Sequence, residues 1–155
     1  MRTLTTVSIA LVAFTACLSA QNTIVSPIGA TSTEGSGSNA FPFTSSVIRR
    51  YQQIHSDLGS GAKLIKQLSF RANGGSTNYT GTRAMDIELA LCDAGDYASI
   101  SNNFSANYIG SPTTVISRTI VNLGPQGQAS IPSPFQGMDL SFSPYVHSGT
   151  NSLLW

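Results

Sequence analysis

Apolar side chains occupy every second position between residues 83 and 92. The apolar positions are Met85, Ile87, Leu89 and Leu91, and the positions between them are Ala84, Asp86, Glu88 and Ala90. Because successive side chains of a strand point to opposite faces, this alternation predicts a strand with one buried and one solvated face. A helix over the same residues would leave no continuous apolar stripe. One apolar and one polar face is the pattern of an antiparallel sheet.

Other segments also predict short strands, separated by turns rich in Gly, Ser and Pro. The predicted strands are 22–29, 47–55, 64–71, 113–123, 135–142 and 152–155, with one helical turn within 99–108. We expect 64–71 and the 83–92 strand to form an antiparallel hairpin, and Phe41, Pro42 and Phe43 to cover one end of the core. Short strands without a helical period predict an all-β fold, an antiparallel β-sandwich of jelly-roll type.

The polar positions of the chain are filled mainly by uncharged side chains. Asp, Glu, Lys and Arg make up 10% of the residues, and the net charge is +1, whereas charged residues usually form about a quarter of a domain. This composition argues against a nucleic-acid partner, and no basic amphipathic stretch indicates binding to a membrane surface. It is typical of extracellular all-β modules, and it leaves the oligomeric state open.

The first residues of the chain have the pattern of a secretory signal peptide. Arg2 precedes an apolar core at 7–17 that is too short to span a bilayer, and small residues precede Gln21. We therefore predict a signal peptide at 1–20, no transmembrane span, and a protein that is secreted or displayed at the cell surface. The mature chain, 21–155, is predicted to be a single β-sandwich domain with a flexible loop at 30–39.

The two cysteines leave a second export route open. Residues 14–17 (Phe-Thr-Ala-Cys) are a poor match to a lipoprotein signal, so a lipidated Cys17 is the less favoured alternative. Otherwise Cys92 is the only cysteine left after cleavage, and we expect it to be a small core residue. At the other end, an apolar run stops at Trp155 without a flanking turn. The sequence leaves open whether the chain is truncated there and whether an anchor or a second domain followed.

The strongest ligand-binding candidate is the strand face that carries Arg49, Tyr51 and Gln53. A sugar ring presents C–H groups to an aromatic face and hydroxyls to polar neighbours, and Tyr51 between two polar side chains suits that chemistry. The competing interpretation is that the tyrosine packs over the end of the sandwich. For metals, Asp93 and Asp96 with loop carbonyls are a weak calcium candidate. No other cofactor is predicted.

Catalytic arrangements have weak support in the sequence. His55 lies beside Ser56 and Asp57, but neighbours on a strand point apart, so no Ser-His-Asp triad is predicted there. Asp86 and Glu88 share a strand face about 6–7 Å apart, which a glycosidase permits. Solvated outer-face charges, paired across the sheet with an arginine such as Arg49 or Arg71, are the more common arrangement.

Four segments of the chain carry a resemblance. They are 41–43 (Phe-Pro-Phe), 49–55 (Arg-Arg-Tyr-Gln-Gln-Ile-His), 83–89 (Arg-Ala-Met-Asp-Ile-Glu-Leu) and 122–127 (Asn-Leu-Gly-Pro-Gln-Gly). They resemble uncharacterised secreted bacterial β-sandwich proteins, which often end in a sorting anchor. The resemblance implies the fold and the compartment, and it assigns no activity.

These observations predict a non-catalytic module with a structural, adhesive or cell-surface role, whose partner is an extracellular glycan or surface matrix. The alternative is a carbohydrate-binding module that uses the face around Tyr51. A third and weaker hypothesis is a glycoside-active enzyme that uses Asp86 and Glu88.

Overall fold

The computed structural model describes residues 22–34, 43, 48–72, 80–126 and 131–155. Within these ranges six strands form two antiparallel sheets, so the predicted all-β class is confirmed. The helical residues there belong to short 3₁₀ helices, Ile28–Thr31, Tyr97–Ser99 and Phe104–Asn107. No helix in the described part is long and apolar enough to cross a membrane.

The larger sheet is organised around one long strand. The strands are β1 (Ile54–His55), β2 (Lys63–Phe70), β3 (Arg83–Ala94), β4 (Tyr108–Leu123), β5 (Met138–His147) and β6 (Ser152–Leu154). The larger sheet has the order β1-β6-β3-β4, and β2 pairs with β5 in the smaller one. β3 therefore lies between two neighbours, with β4 along its length and β6 at its C-terminal end.

The alternation along β3 is confirmed by its burial. Asp86 and Glu88 are exposed, whereas Leu89 and Leu91 are buried, and Leu91 has 0% of its surface exposed. Full burial of such a side chain contributes about 1.5–3 kcal/mol. The inward face of β3 is therefore a main source of the fold's stability.

Apolar residues of both sheets meet in one cluster. Its buried members are Leu89, Leu123, Met138 and Leu140, two from the larger sheet and two from β5. A row of aromatic rings extends it: the centroid of Phe70 lies 4.7 Å from that of Phe43 and 5.2 Å from that of Trp155. Because Phe70 belongs to β2 and Trp155 follows β6, this row joins the two sheets.

A smaller cluster lies where β1, β6 and β3 meet. It contains Ile54, Cys92, Ala94 and Leu154. Leu154 pairs with Ile54 of β1 and with Cys92 of β3, so these three residues form one row across three strands. Cys92 is thus a core residue, as expected.

The predicted hairpin is wrong. β2 pairs with β5, from Lys63 opposite His147 to Phe70 opposite Met138, and β3 pairs with β4 and β6 instead. The alternation of a strand defines which face is buried but does not define its partner.

Two predicted strands are largely absent. In the segment 47–55 only Ile54–His55 is a strand, and 48–53 has no regular structure. The reason is visible in its side chains, since Arg50 and Gln52 bind the turn around Phe104 instead of lining a sheet. The segment 22–29 is not a strand either. Ser26 and the backbone N–H of Ile28 bind side chains at the end of β1 instead of a neighbouring strand.

The remaining strand predictions agree better with the observed strands. Those at 64–71, 113–123 and 152–155 correspond to β2, β4 and β6, and the one at 135–142 is displaced to β5. The turn expected within 99–108 is a 3₁₀ helix, Phe104–Asn107, after which Tyr108 begins β4. The predicted signal peptide with Cys17, residues 35–39 of the loop, Phe41, Pro42 and Val47 lie outside the described residues.

Candidate functional site: two histidine–carboxylate clusters

The first cluster brings together residues that are distant in the sequence. We call residues 22–34 the strap, because its polar groups bind residues at the ends of β1 and β2. Near its start, Ser26 contacts His55 of β1 and Asp57 just after β1, and His55 in turn contacts Trp155 just after β6. We call these four side chains the clasp, and all of them are half-buried.

The strap is also anchored farther along. The guanidinium of Arg71 donates to the carbonyl oxygens of Ala30 and Thr33, each at 2.7 Å. The carboxylate of Glu34 accepts from the backbone N–H of Ser133 at 2.6 Å. The strap therefore runs from the end of β1 past the end of β2, and these polar contacts hold it.

A chain of hydrogen bonds runs through the clasp. The indole Nε1–H of Trp155 donates to Nε2 of His55 at 3.0 Å. Nδ1 of His55 lies 2.6 Å from Oγ of Ser26, and the Ser26 hydroxyl donates to Oδ1 of Asp57. The other oxygen of Asp57 accepts from the backbone N–H of Ile28 at 2.5 Å.

These contacts assign the tautomer of His55. An indole nitrogen only donates, so Nε2 of His55 must accept and carries no hydrogen. The hydrogen of the neutral ring is then on Nδ1, which donates to Ser26. Every hydrogen bond therefore points the same way, from Trp155 through His55 and Ser26 to Asp57.

The pKa values of the clasp agree with this arrangement. Burial lowers the pKa of His55 below its ordinary value of 6.5, and the nearby charge of Asp57 opposes the shift only in part. Burial raises the pKa of Asp57, but hydrogen bonds from Ser26 and from the Ile28 backbone outweigh it and leave that pKa below 3.8. At neutral pH the clasp thus holds a neutral imidazole and an ionised carboxylate.

The clasp contains the residue types of a serine hydrolase but not the required direction of donation. In a Ser-His-Asp triad the serine donates to the histidine, which removes its proton. Here His55 donates to Ser26, and the proton of Ser26 is directed at Asp57. The clasp can therefore hold segments together, and its serine-to-aspartate donation differs from the serine-to-histidine donation of a triad.

The second cluster lies where β3 meets the end of β5. Nδ1 of His147 is 3.0 Å from Oδ1 of Asp93, and His147 is 1% exposed. Oδ2 of Asp93 accepts from Ser148 at 3.3 Å and from Asn151 at 3.2 Å. We call these four residues the corner cluster. It joins β3 of the larger sheet to β5 of the smaller one.

The carboxylate of the corner cluster is ionised. Burial raises the pKa of Asp93, but hydrogen bonds from Asn151 and His147 outweigh burial and lower that pKa below its ordinary value of 3.8. Since an ionised carboxylate only accepts, Nδ1 of His147 carries the hydrogen of this bond. Histidine is thus a donor to the carboxylate in the corner cluster.

The backbone around the corner cluster is tightly packed. Gly149 has φ +74°, and a Cβ placed on it would overlap the carbonyl group of Gly61. The ammonium of Lys63 holds that facing loop by binding the carbonyl oxygens of Gly59, Ser60 and Gly61 at 2.8, 3.1 and 2.9 Å. The corner cluster therefore lies in a part of the fold with little room to move.

The predicted sugar-binding residues are arranged differently from a strand face. The ring of Tyr51 packs 5.3 Å from that of Trp155, and both rings are half-buried. The backbone of Gln53 exchanges hydrogen bonds with that of Trp155 at 3.0 and 3.1 Å. Arg49 is exposed. Tyr51 therefore packs at the end of the core and also presents part of its ring to solvent.

The two predicted calcium ligands have separate partners. Asp93 belongs to the corner cluster, whereas Asp96 accepts from the backbone N–H of Ala98 at 3.0 Å and so caps the 3₁₀ helix Tyr97–Ser99. Across the described ranges, no group of three His, Cys, Asp or Glu residues is placed to hold a metal ion. The calcium site stays a prediction without a third acidic ligand.

The paired carboxylates lie on the exposed face of β3. Asp86 binds the guanidinium of Arg118 at 2.9 Å, and both side chains are largely exposed. The expected pairing across the sheet is thus present, but the arginine belongs to β4 and is neither Arg49 nor Arg71.

The sequence indicated only part of the clasp. It singled out His55 and Asp57, but Ser56 hydrogen-bonds with Tyr97 and Ser152, and Ser26 takes the place beside the histidine. A lone serine before a proline carries no signal of its own, and the pairing of Trp155 with His55 depends on β6 lying next to β1.

No protein-family model, curated protein or solved structure matches this chain.

Proposed function

We propose that the mature chain, 21–155, is an exported, non-catalytic β-sandwich module with a structural, adhesive or cell-surface role. The observation that carries the proposal is the hydrogen bond from Trp155 to His55. It commits His55 to donate towards Ser26, so the side chains that most resemble a catalytic group serve to join the strap, β1 and the end of β6.

The sandwich arrangement is supported by the apolar cluster between the sheets. Leu89 and Leu123 of the larger sheet share it with Met138 and Leu140 of β5. Two sheets that share an inner apolar layer are the basis of a sandwich, and a jelly roll is one way to connect their strands.

The surface composition supports a structural or adhesive role. β4 lies at the edge of the larger sheet and exposes uncharged side chains along most of its length, among them Thr113, Thr114, Ser117 and Thr119. An uncharged polar surface suits contact with a glycan or a surface matrix, which offers hydroxyl groups rather than charges.

Nitrogen NMR of the histidine rings tests the non-catalytic proposal. We expect His55 to be the Nδ1–H tautomer at neutral pH, and a fluorophosphonate probe to leave Ser26 unlabelled. The Ser26→Ala variant is the control for any labelling at other serines. An Nε2–H tautomer together with labelling that disappears in Ser26→Ala would contradict the proposal and indicate a hydrolase.

Fractionation of cells that produce the chain tests the compartment. We expect the protein outside the cytoplasm with residues 1–20 removed, as mass spectrometry of the recovered protein would show. Incorporation of labelled fatty acid at Cys17 would instead support the lipoprotein route. Full-length protein that remains in the cytoplasm would contradict export.

A second candidate function is carbohydrate binding by the ring pair Tyr51 and Trp155. The adjacent, partly exposed rings favour it, because aromatic faces are a platform for the C–H face of a sugar. A glycan array tests it, with Tyr51→Ala expected to abolish any binding and Tyr97→Ala, which removes another exposed ring, as the control. Binding that survives Tyr51→Ala would exclude this surface.

A further inference from the structure

His55 connects two separate parts of the fold through its two ring nitrogens. Nδ1 donates to Ser26 of the strap, and Nε2 accepts from Trp155. The Trp155 ring in turn packs against Phe70 of β2 and against Tyr51. Trp155 therefore spans from the larger sheet to the smaller one, and His55 holds its polar edge in place.

We propose that the hydrogen bond from Trp155 to His55 is an acid-sensitive latch, which holds the Trp155 ring between the two sheets at neutral pH and releases it when His55 takes up a proton. The reason is chemical. A protonated imidazole carries hydrogen on both nitrogens and accepts on neither, whereas an indole N–H only donates. After protonation, Nε2–H of His55 faces Nε1–H of Trp155, and two donors in contact repel each other.

The strap side of His55 responds differently. Nδ1 keeps its hydrogen when Nε2 is protonated, so the bond to Ser26 remains. The new positive charge is also attracted by Asp57, which lies beside Ser26. Acid therefore loosens Trp155 selectively while the strap stays attached to β1.

The groups around His55 determine the pH at which this occurs. Asp57 is the ionisable group whose charge acts on the ring, while Ser26 faces it from the strap and Trp155 faces it from the end of β6. Burial lowers the pKa of His55 below 6.5 despite Asp57. The unfolded chain thus binds the proton more tightly, so the latch is fully formed above pH 6.5 and is lost as the pH falls through the lower pKa of the folded protein.

The only tryptophan of the chain provides the measurement. We expect Trp155 emission to change reversibly between about pH 8 and about pH 5, with a midpoint below 6.5 and with unchanged far-UV circular dichroism. Quenching by acrylamide should rise over the same range, because the released ring is more accessible. No change in emission, or a change without greater accessibility, would overturn the proposal.

Three variants separate the latch from other acid effects. In His55→Gln a side-chain carbonyl replaces the accepting nitrogen and does not titrate, so the transition should disappear. In Asp57→Asn the opposing charge is gone, so the midpoint should move to lower pH. The transition should persist in His147→Gln, which removes the other histidine. A transition that remains in His55→Gln would overturn the latch.

Proton NMR of the native chain tests the latch where a variant does not fold. The His55 Cε1–H and the Trp155 indole N–H resonances should shift with the same midpoint. Different midpoints would show that protonation of His55 does not move Trp155, and the latch would be wrong.

Discussion

The clasp and the corner cluster each pair a histidine with an aspartate, yet the two histidines have opposite roles. In the corner cluster His147 donates directly to Asp93, and in the clasp His55 accepts from Trp155 while a serine separates it from Asp57. The bond from Trp155 requires an Nε2 of His55 without hydrogen, whereas the bond to Asp93 requires a hydrogen on Nδ1 of His147. The partners of the ring nitrogens therefore give the two histidines different tasks, one accepting from an indole and the other donating to a carboxylate.

The surroundings of the corner cluster are more buried and more tightly packed than those of the clasp. His147 is 1% exposed and lies beside the tight contact of Gly149 with Gly61. The clasp is half-buried and holds a strap in which Ile28 is 72% exposed. Regions with few buried contacts open at lower free energy. We infer that the corner cluster stabilises the fold as a whole, while the clasp controls a local contact.

The largest effect is expected at the backbone contact beside the corner cluster. Gly149→Ala places a Cβ against the carbonyl of Gly61 at a φ of +74°. Overlap and left-handed strain together should lower the free energy of unfolding by about 3 kcal/mol. Urea denaturation measures this loss.

Gly59→Ala is the matched control for that variant. Gly59 has the same φ of +74°, but a Cβ there would meet nothing within 4 Å. Only the left-handed strain remains, so we expect a loss of about 1 kcal/mol. Equal losses in the two variants would show that the corner is not tightly packed.

The next largest difference in stability is expected between substitutions of the two aspartates. Asp93→Asn replaces an acceptor for Ser148 and Asn151 with an NH₂ group, and we expect a loss of about 2 kcal/mol. Asp57→Asn should lose about 1 kcal/mol, because Ser26 is able to accept from the new NH₂ group. Thermal unfolding at neutral pH compares the two. A larger loss at Asp57 would reverse the roles of the clusters.

The pH dependence of the Asp93→Asn effect sharpens this comparison. The pKa of Asp93 lies below 3.8 in the folded protein, so its contribution is present above pH 3.8 and is lost as the pH falls through the lower, folded value. The difference between wild type and Asp93→Asn should therefore narrow towards zero in strong acid. Urea denaturation at several pH values measures it, and a constant difference would mean that the charge of Asp93 is not involved.

The sequence predicts the parts of this molecule that depend on one local pattern. The alternation from Met85 to Leu91 indicates both the strand and its buried face. A similar alternation correctly predicts β2. Pairing is not predictable in this way, because β2 selects β5 from the far end of the chain rather than the adjacent β3. The alternation of the segment 47–55 was misleading, since polar side chains there bind a neighbouring turn.

The clasp depends on the pairing of distant segments, so the sequence predicts only two of its four residues. His55 and Asp57 are close in sequence, but Ser26 and Trp155 reach them only because the strap crosses β1 and because β6 lies beside it. The corner cluster has the same origin. The sequence suggests Asp93 only as an oxygen ligand for calcium. Its histidine partner lies on β5, and no local pattern defines where β5 packs.

The smallest expected effects compare the serine of each cluster. Ser26→Ala removes the acceptor of His55 Nδ1–H and a donor to Asp57, so we expect a loss of about 1 kcal/mol. Ser148 is exposed, its bond to Asp93 is long, 3.3 Å, and the Thr150 groups that donate to it are exposed as well. Ser148→Ala should therefore lose only about 0.3 kcal/mol. Urea denaturation of both variants at neutral pH measures the difference. A larger loss in Ser148→Ala than in Ser26→Ala would contradict the role of Ser26 in holding the strap to β1.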